Sequence, residues 1–482
     1  MIRGLEMGHK IGPSREQLIL FPESLEEAVG RDHPVRVIDA FVDSLDLGEL
    51  GFSKVAARAT GRPPYRPGDM LKLYLYGYQY QMRSSRRLEA ESQRNIEVMW
   101  LTRRLMPAFK TIADFRKDHP RPIIAVCRAF VQFCRDQALV GGEVLVVDGT
   151  KINAVASPKQ VMTPGSLKQK AEAIDRKIAA YLAQMDTADR EENAAEGQKI
   201  DVAGALEALK GRRLQIQQQA EELSERGLSQ LVVTEPEAKL MRTAGHGYQV
   251  AYNAQTVVDA EHKLVVAFEL VNDGNDQRQL HPMALAGQEA VGGKAVTVVA
   301  DTGYSNGEHG QRCEADGITA IVARMETVNP QGKQYFARDR FSYDAGSDSW
   351  RCPAGETLTC RAIGRKEQQK KYWTNACRGC PLKASCTKSG KRIIVRHFFE
   401  EAREAMHRRA MADPRWMKLR RCVVEHPYGT IKWMMGRPRF LLRGLKKAKA
   451  ELALSILAYN LKRVINIQGV PKLLASLQPT PA

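Results

Sequence analysis

The sequence predicts a mixed fold, α+β or α/β in class, in which an all-α N-terminal domain precedes a domain built on a mixed five-stranded sheet. Three observations lead to this prediction. Amphipathic spacing typical of helices continues to about residue 140. Two unbroken β-branched runs, each ending in an aspartate, are typical of buried strands. Beyond residue 247, apolar stretches of strand length alternate with stretches of helical spacing.

Length and charge narrow the class of protein. A chain of 482 residues is too long for one core and should form about two to four domains. Its net charge of +18 predicts a polyanionic partner, and both nucleic acid and an anionic membrane fit. No apolar run is long enough to span a bilayer, and the amino terminus lacks the apolar core of a signal peptide. We therefore expect a cytoplasmic, nucleoid-associated protein with no membrane partner and mostly reduced cysteines.

The N-terminal domain, residues 1–140, is predicted to be a set of short helices. Seven of its basic side chains are expected to be exposed: Arg83, Arg86, Arg87, Arg103, Arg104, Arg116 and Lys117. Short helices with exposed arginines suit a helix-turn-helix-like DNA binder. An ordinary helical bundle with a solvated basic face explains the same residues equally well, so both interpretations stay open.

Two matching segments carry the acids on which the functional prediction depends. Val144–Lys151 contains Asp148 directly after an apolar run, and Val296–Tyr304 contains Asp301 in the corresponding position. Each aspartate is predicted to end its strand in a turn. Side by side, two such strand ends would form a carboxylate pair able to chelate a divalent cation. The alternative is that each aspartate serves only its turn.

The second domain, residues 141–470, is predicted to hold the sheet. Between about residues 159 and 230, a composition rich in Ala, Gln, Glu, Lys and Arg at helical spacing predicts a helical insert used for packing or dimerisation. Without this insert, three consecutive antiparallel strands precede alternating strands and helices. That is the element order of a ribonuclease H-like domain, in which the first and fourth strands are parallel neighbours. Asp148 and Asp301 would then lie together.

A second insert, about residues 329–396, contains five of the nine cysteines. Thiolates from two short knuckles can close a tetrahedral zinc site, which a small module with little core needs in order to fold. We expect one structural Zn²⁺ held by Cys352, Cys377, Cys380 and Cys386, with Cys360 as the alternate ligand. Unligated thiols in a loop are the alternative interpretation.

The C-terminal part is predicted to be helical and basic. One helix is expected from Glu400 to about Trp433, with a kink or irregular turn at Pro427, and another from Leu445 to Ile465. Residues 471–482 are expected to be a disordered tail. Basic side chains from both domains are the expected phosphate contacts of bound DNA. They are Arg86, Arg87, Lys151, Arg421, Lys432, Arg437 and Arg439.

Several motifs resemble those of the DDE transposases of bacterial insertion sequences, in the group with an InsH-like N-terminal domain and a Cys-rich insert. The motifs of the N-terminal domain are Gly61-Arg62-Pro63-Pro64-Tyr65, Tyr76-Gly77-Tyr78 and Arg83-Ser84-Ser85-Arg86. Those of the second domain are Val147-Asp148-Gly149-Thr150-Lys151, Ala300-Asp301-Thr302-Gly303-Tyr304 and Val424-Glu425-His426-Pro427-Tyr428-Gly429. The likeness covers nearly the whole chain. It departs from the family at Lys418, where the third-acid signature has a tyrosine.

The resemblance implies that Asp148, Asp301 and Glu425 are the catalytic acids and hold two Mg²⁺ or Mn²⁺ ions. The implied reaction is hydrolysis at an element end, followed by attack of the freed 3′-hydroxyl on target DNA. A homodimer on DNA is the expected assembly. Two alternatives stay open: a catalytically silent DNA-binding protein derived from a transposase, and a metal-dependent nuclease without strand transfer.

Overall fold

The computed structural model describes residues 24–55, 63–190, 202–243, 247–324, 335–365 and 367–477. Its first part is helical, as the amphipathic spacing predicts. The helices are α1 (Leu25–Ala28), α2 (Pro34–Asp43), α3 (Pro67–Gln79), α4 (Ser85–Arg94), α5 (Ile96–Leu101), α6 (Phe109–Asp118) and α7 (Pro120–Asp136). Residues 1–23 of the predicted N-terminal domain lie outside the described residues.

A helical hairpin follows the first strand, in the stretch where an insert is predicted. The elements are β1 (Val144–Asn153), β2 (Val161–Met162), α8 (Pro164–Arg190), α9 (Val202–Glu225) and β3 (Leu231–Val232). The two helices pack against each other, and β2 pairs with β3 at their base. Leu167, Leu223 and Leu231 form a small core of their own there, so the apolar contacts of the hairpin are local.

The central sheet is mixed and has six strands, one more than predicted. Its elements after β1 are β4 (Lys239–Thr243), β5 (Gly247–Asp259), β6 (Val265–Val271), α10 (Leu280–Ala290), β7 (Val296–Ala300), α11 (Gly307–Ala315) and β8 (Ile318–Val322). The spatial order is β6–β5–β1–β7–β8, and the additional strand β4 pairs with the first half of β5. Strands β1, β7 and β8 are parallel, whereas β5 is antiparallel to its neighbours.

β1 continues to Asn153, so the prediction that Asp148 ends its strand in a turn is wrong. The residues after Asp148 stay extended because they pair with β5, as far as Asn153 opposite Ala251. β7 does end at Ala300. Asp301 then caps a 3₁₀ turn by accepting a hydrogen bond from Gly303 N at 2.8 Å, which confirms the second predicted turn.

A second sheet, which the sequence did not predict, occupies the Cys-rich insert. Its antiparallel strands are β9 (Ser342–Asp344), β10 (Ser349–Arg351), β11 (Thr357–Gly364), β12 (Gln369–Trp373) and β13 (Ile394–His397). Apolar side chains on one face form its core: Phe341, Trp350, Leu358, Tyr372 and Ile394. The module therefore has a hydrophobic core of its own, although a small one.

Four helices complete the described chain: α12 (Glu400–Ala412), α13 (Arg415–Met435), α14 (Leu445–Gln468) and α15 (Val470–Leu477). The single helix expected from Glu400 is two, because Asp413 is extended and Pro414 follows it. α13 runs through Pro427, so of the kink or irregular turn expected there, the irregular turn is wrong and the kink stays a prediction. α15 occupies most of the predicted disordered tail, and residues 478–482 lie outside the described residues. No helix within the described ranges is long and apolar enough to cross a membrane.

One hydrophobic core joins the N-terminal helices to α14, which packs against α3 and α7. A buried ion cluster lies within this contact. Arg83 Nη1 is 3.2 Å from Glu451 Oε1, and Arg116 Nη1 is 4.0 Å from the same oxygen. Arg83 and Arg116 are buried, so the prediction that they are exposed is wrong. Glu451, which is itself buried, is the acidic partner of both arginines.

Candidate functional site: two aspartates at the edge of the central sheet

Asp148 and Asp301 lie beside each other because β1 and β7 are parallel and in register. Val146 pairs with Val299, and each aspartate comes two residues later on its segment. The apolar runs before them are buried, which fixes this register. Arg420 Nη2, from α13, lies 3.2 Å from Asp148 Oδ2 and 3.3 Å from Asp301 Oδ2. One guanidinium nitrogen therefore bridges the two carboxylates.

Asp148 is the more enclosed of the two acids, with a side chain 14% exposed against 39% for Asp301. Burial raises the pKa of Asp148 to about 6. The nearby charge of Asp301 adds to that rise, while Arg420 and the amide of Gly149 oppose it. Positive charge placed between the two carboxylates therefore favours their ionised form.

A third aspartate, which the sequence reasoning missed, lies at the same site. Asp276 Oδ1 accepts hydrogen bonds from Asn253 Nδ2 and Gln255 Nε2, each at 2.7 Å. Lys151 Nζ lies 3.4 Å from the same oxygen. The hydroxyl of Tyr304 donates to Gln255 Oε1, which fixes the amide of Gln255 with its nitrogen toward Asp276. Asp276 is thus held by donors from β1 and β5.

Two glycines keep the backbone close to these acids. A Cβ at residue 149 would lie 2.9 Å from Asp276 Oδ1, closer than real Cβ contacts allow. A Cβ at residue 303 would lie 3.0 Å from Asp301 Oδ1 and 3.8 Å from Asp276 Oδ2. Gly149 and Gly303 were predicted only as turn residues. The structure shows that they also leave room between the carboxylates.

Tyr428 fixes α13 on the sheet. Its hydroxyl donates to the carbonyl of Asp148 at 2.6 Å and accepts from Thr256 Oγ1 at 2.9 Å. This contact sets the rotation of the helix and directs Arg420 at the acids. Lys432 follows one turn later, with its Nζ 5.9 Å from the ring of Tyr428. Burial lowers the pKa of Lys432, and the charge of Asp148 opposes that change.

Glu425 lies on α13 with an exposed side chain. Its carboxylate forms no hydrogen bond or ion pair with the other described residues. Within those residues, no group of three or more His, Cys, Asp or Glu side chains is placed to hold a metal ion. The structure thus brings together two of the three predicted acids, Asp148 and Asp301, and leaves Glu425 on the adjacent helix.

Two family models match the chain. Residues 23–118 match a transposase domain (DUF772), and residues 351–465 match a transposase DDE domain. Together, these matches support a DDE-type transposase of the insertion-sequence kind. No curated protein matches it significantly. A solved structure of the piggyBac transposase synaptic complex with hairpin DNA is 10% identical, over 92% of this chain and 79% of that chain. The TM-score of this comparison is 0.35.

The basic residues predicted to contact DNA are not all free on the surface of the chain. Five of them are exposed: Arg86, Arg87, Arg421, Arg437 and Arg439. Lys151, in contrast, is engaged with Asp276. Arg439 donates through Nε to the carbonyl of Ala154 at 3.0 Å and through Nη2 to that of Val155. It therefore ties the segment after α13 to the end of β1.

The four cysteines predicted to hold zinc line one cavity of the chain: Cys352, Cys377, Cys380 and Cys386. Burial raises the pKa of Cys386, and the other three thiols add to that rise. The alternate ligand Cys360 lies outside this lining, with its Sγ 3.8 Å from the carbonyl of Ala362 on β11. The four thiols line a common space, although no group of three or more His, Cys, Asp or Glu side chains in the described residues is arranged to hold a metal ion.

Proposed function

We propose that this chain binds the ends of its insertion sequence and catalyses metal-dependent DNA cleavage and strand transfer. One observation carries the proposal: Asp148 and Asp301 lie together at the edge of the sheet, bridged by one nitrogen of Arg420. The acid pair belongs to a chain that matches a transposase DDE domain. A net charge of +18 supports DNA as the partner.

The strand order supports a ribonuclease H-like core. Three antiparallel strands, β6, β5 and β1, continue into the parallel strands β7 and β8, with the first and fourth as neighbours. We propose that this core is the catalytic domain and that the N-terminal helices contribute to DNA binding. The α8–α9 hairpin and the Cys-rich sheet are inserts in it. We also propose that two copies act together on DNA, in the cytoplasm at the nucleoid.

The residues at the acid pair fit a divalent cation. Their side chains offer carboxylate oxygens, which Mg²⁺ and Mn²⁺ prefer. Burial raises the pKa of Asp148, and a bound cation would favour the ionised form of the pair. We propose that Asp148, Asp301 and Glu425 hold two such ions, with Glu425 supplying a carboxylate that has no other partner among the described residues. Bound ions would activate the attacking oxygen and stabilise the leaving oxygen.

The residues of the chain position the DNA and the acids. Tyr428 holds Asp148 through its carbonyl and keeps α13 against the sheet. Arg421 is exposed one turn before Glu425, and Lys432 lies two turns after it, so both can bind phosphates on the same side of α13. Arg420 neutralises the acid pair until the cations bind.

A cleavage and joining assay tests the proposal. Purified protein, Mg²⁺ and duplexes that carry the element ends should give nicked ends and joined products. Asp148→Asn should abolish both products while leaving end binding and its salt dependence nearly unchanged, because the basic residues remain. Cleavage without joining would indicate a nuclease. Binding without cleavage by the wild-type chain would indicate a catalytically silent DNA-binding protein.

A further inference from the structure

A groove lies on the side of α13 that faces away from Asp148. It is formed by α13 and α14 and has a volume of about 440 Å³, within the roughly 300–1,000 Å³ of sites for small ligands. Its lining is aromatic and basic or polar and includes His426, Gly429, Trp433, Tyr459, Lys462 and Arg463. None of these described residues is acidic, so the groove favours an anion.

Trp433 is the main apolar surface of this groove. Its side chain is 57% exposed, whereas large aromatic residues such as Tyr459, in the same lining, are buried. Lys462 Nζ lies 5.3 Å from the centre of the indole ring. Lysine is a flexible point charge, and it can swing from the ring to a phosphate. Arg463 is fixed nearby because its Nε donates to the carbonyl of His262 at 2.9 Å.

Gly429 supplies an independent observation. It lies in the interior of α13, where glycine weakens a helix relative to alanine. A Cβ at this position would meet no atom within 4 Å, so packing within the chain does not require a glycine. The open space beside it belongs to the groove. The glycine is explained if a ligand approaches the helix at this point.

We propose that this groove binds one unpaired nucleotide of the DNA substrate, with its base stacked on Trp433 and its phosphate held by Lys462 and Arg463. The inference rests on the proposed function only in taking DNA as the substrate. An unpaired nucleotide is required because the base faces inside a duplex are covered by their neighbours. Trp433 lies five residues after Tyr428 on α13, about 7.5 Å along the helix axis. The nucleotide would therefore lie across α13 from the acid pair.

The test measures binding without any divalent cation, so that cleavage plays no part. A fluorescein-labelled single strand of twelve thymidines and a duplex of equal length are titrated with the protein, and fluorescence anisotropy is recorded. Trp433→Ala should weaken binding of the single strand about tenfold or more, because stacking on one aromatic ring is lost. Trp433→Phe should restore most of the affinity. The exposed Phe398, on a different module, supplies the control Phe398→Ala, which should bind like the wild type.

A second variant guards against misfolding. Gly429→Leu adds a side chain where a Cβ meets nothing, and it removes a helix-weakening glycine, so the protein should fold at least as stably while its groove is filled. Its affinity for the single strand should fall as much as that of Trp433→Ala. Duplex binding should change by less than about threefold in every variant, because it depends on phosphate contacts elsewhere.

The outcomes are separable from those of the cleavage assay. The groove proposal is overturned if wild-type protein does not bind the single strand, or if Trp433→Ala binds it as tightly as wild type. It is also overturned if Trp433→Phe binds the single strand no better than Trp433→Ala does. The same holds if Trp433→Ala weakens binding of the single strand and of the duplex equally. None of these results bears on whether Asp148 is needed for cleavage.

Discussion

The guanidinium of Arg420 lies 3.2 Å from the carboxylate of Asp148, so a cation of the chain itself occupies the edge of the acid pair. Two carboxylates that face each other in a partly enclosed site repel unless positive charge lies between them. In the metal-free protein, Arg420 supplies that charge. Its own Nε is buried without a hydrogen-bond partner among the described residues, which indicates that the side chain is held by its acids rather than by a larger network.

Arg420→Ala should therefore destabilise the metal-free protein by about 1–3 kcal/mol, because it leaves two partly buried acids unpaired. Mn²⁺ should then raise the melting temperature of the variant more than that of the wild type. Thermal unfolding with and without MnCl₂ measures both effects. Arg415→Ala, at an exposed position of the same helix, is the matched control. Equal shifts in Arg420→Ala and wild type would show that Arg420 does not compete with a cation.

Asp276 should be a positioning residue for the acid site. Asp276→Asn keeps an oxygen for Asn253 and Gln255, so the free energy of unfolding should stay within about 1 kcal/mol of wild type. Cleavage should fall about tenfold or more, because Lys151 loses its charged partner and is free to pair with Asp148. Cleavage rate and DNA affinity are measured side by side. Normal cleavage would limit Asp276 to a structural role.

Glu425→Gln should eliminate Mg²⁺-dependent cleavage with stability changed by less than about 0.5 kcal/mol, because the side chain is exposed and unpaired in the described chain. Glu404→Gln is the control. Glu404 lies on the neighbouring helix α12 and pairs only loosely, at 3.9 Å, with Arg338 and Arg396. Both proteins are assayed on element-end DNA. Wild-type cleavage by Glu425→Gln would remove this residue from the catalytic set.

Metal analysis of the purified protein should find about one tightly held Zn²⁺ per chain, as expected of a closed structural site. Cys380→Ser should lose this zinc and lower the melting temperature. Cys422→Ser, at an exposed cysteine on α13, should change neither quantity. A zinc-free wild-type protein with full stability and activity would show that the small core of the Cys-rich sheet suffices.

Stability should fall as the pH is lowered, in part through His309. Burial lowers the pKa of His309 from 6.5 to about 4, so between these values the unfolded chain binds a proton that the folded chain does not. This group should remove about 1–2 kcal/mol of stability between pH 7 and pH 5. His309→Asn, which keeps an acceptor for the amide of His281, should reduce that loss. Urea unfolding of the wild type and of His309→Asn at both pH values measures this loss. The same loss of stability in both proteins would show that His309 does not cause it.

Asp148 and Asp301 could be placed from the sequence because each follows an apolar run whose burial fixes its strand. The extension of β1 to Asn153 could not be predicted from the sequence, because the residues after Asp148 stay extended through their pairing with β5. Arg420 was missed because its direction depends on how Tyr428 orients α13 on the sheet. Asp276 had a weak signal, an acid-rich loop directly after a strand. Its donors come from strands that only the tertiary fold brings near it.

The same limit applies to the polar interior and to the Cys-rich insert. Arg83 looks like a solvated arginine in its own segment, and only the fold shows that Glu451 is its partner. The strands β9–β13 are short and largely polar, so their sequences give a weak strand signal. The five cysteines gave a stronger signal, and the sequence therefore predicted a zinc site and no sheet. Contacts between residues that are far apart in the sequence, such as Arg83 and Glu451, could not be predicted, whereas features set by neighbouring residues could.

The core shared by the N-terminal helices and α14 has a consequence for synthesis on the ribosome. The first helices emerge early, but the surface that covers α3 and α7, with the acid that pairs with Arg83 and Arg116, belongs to α14. Their packing is completed only when almost the entire chain has been translated. A product cut short by a premature stop codon before α14 would expose apolar helices and two unpaired arginines.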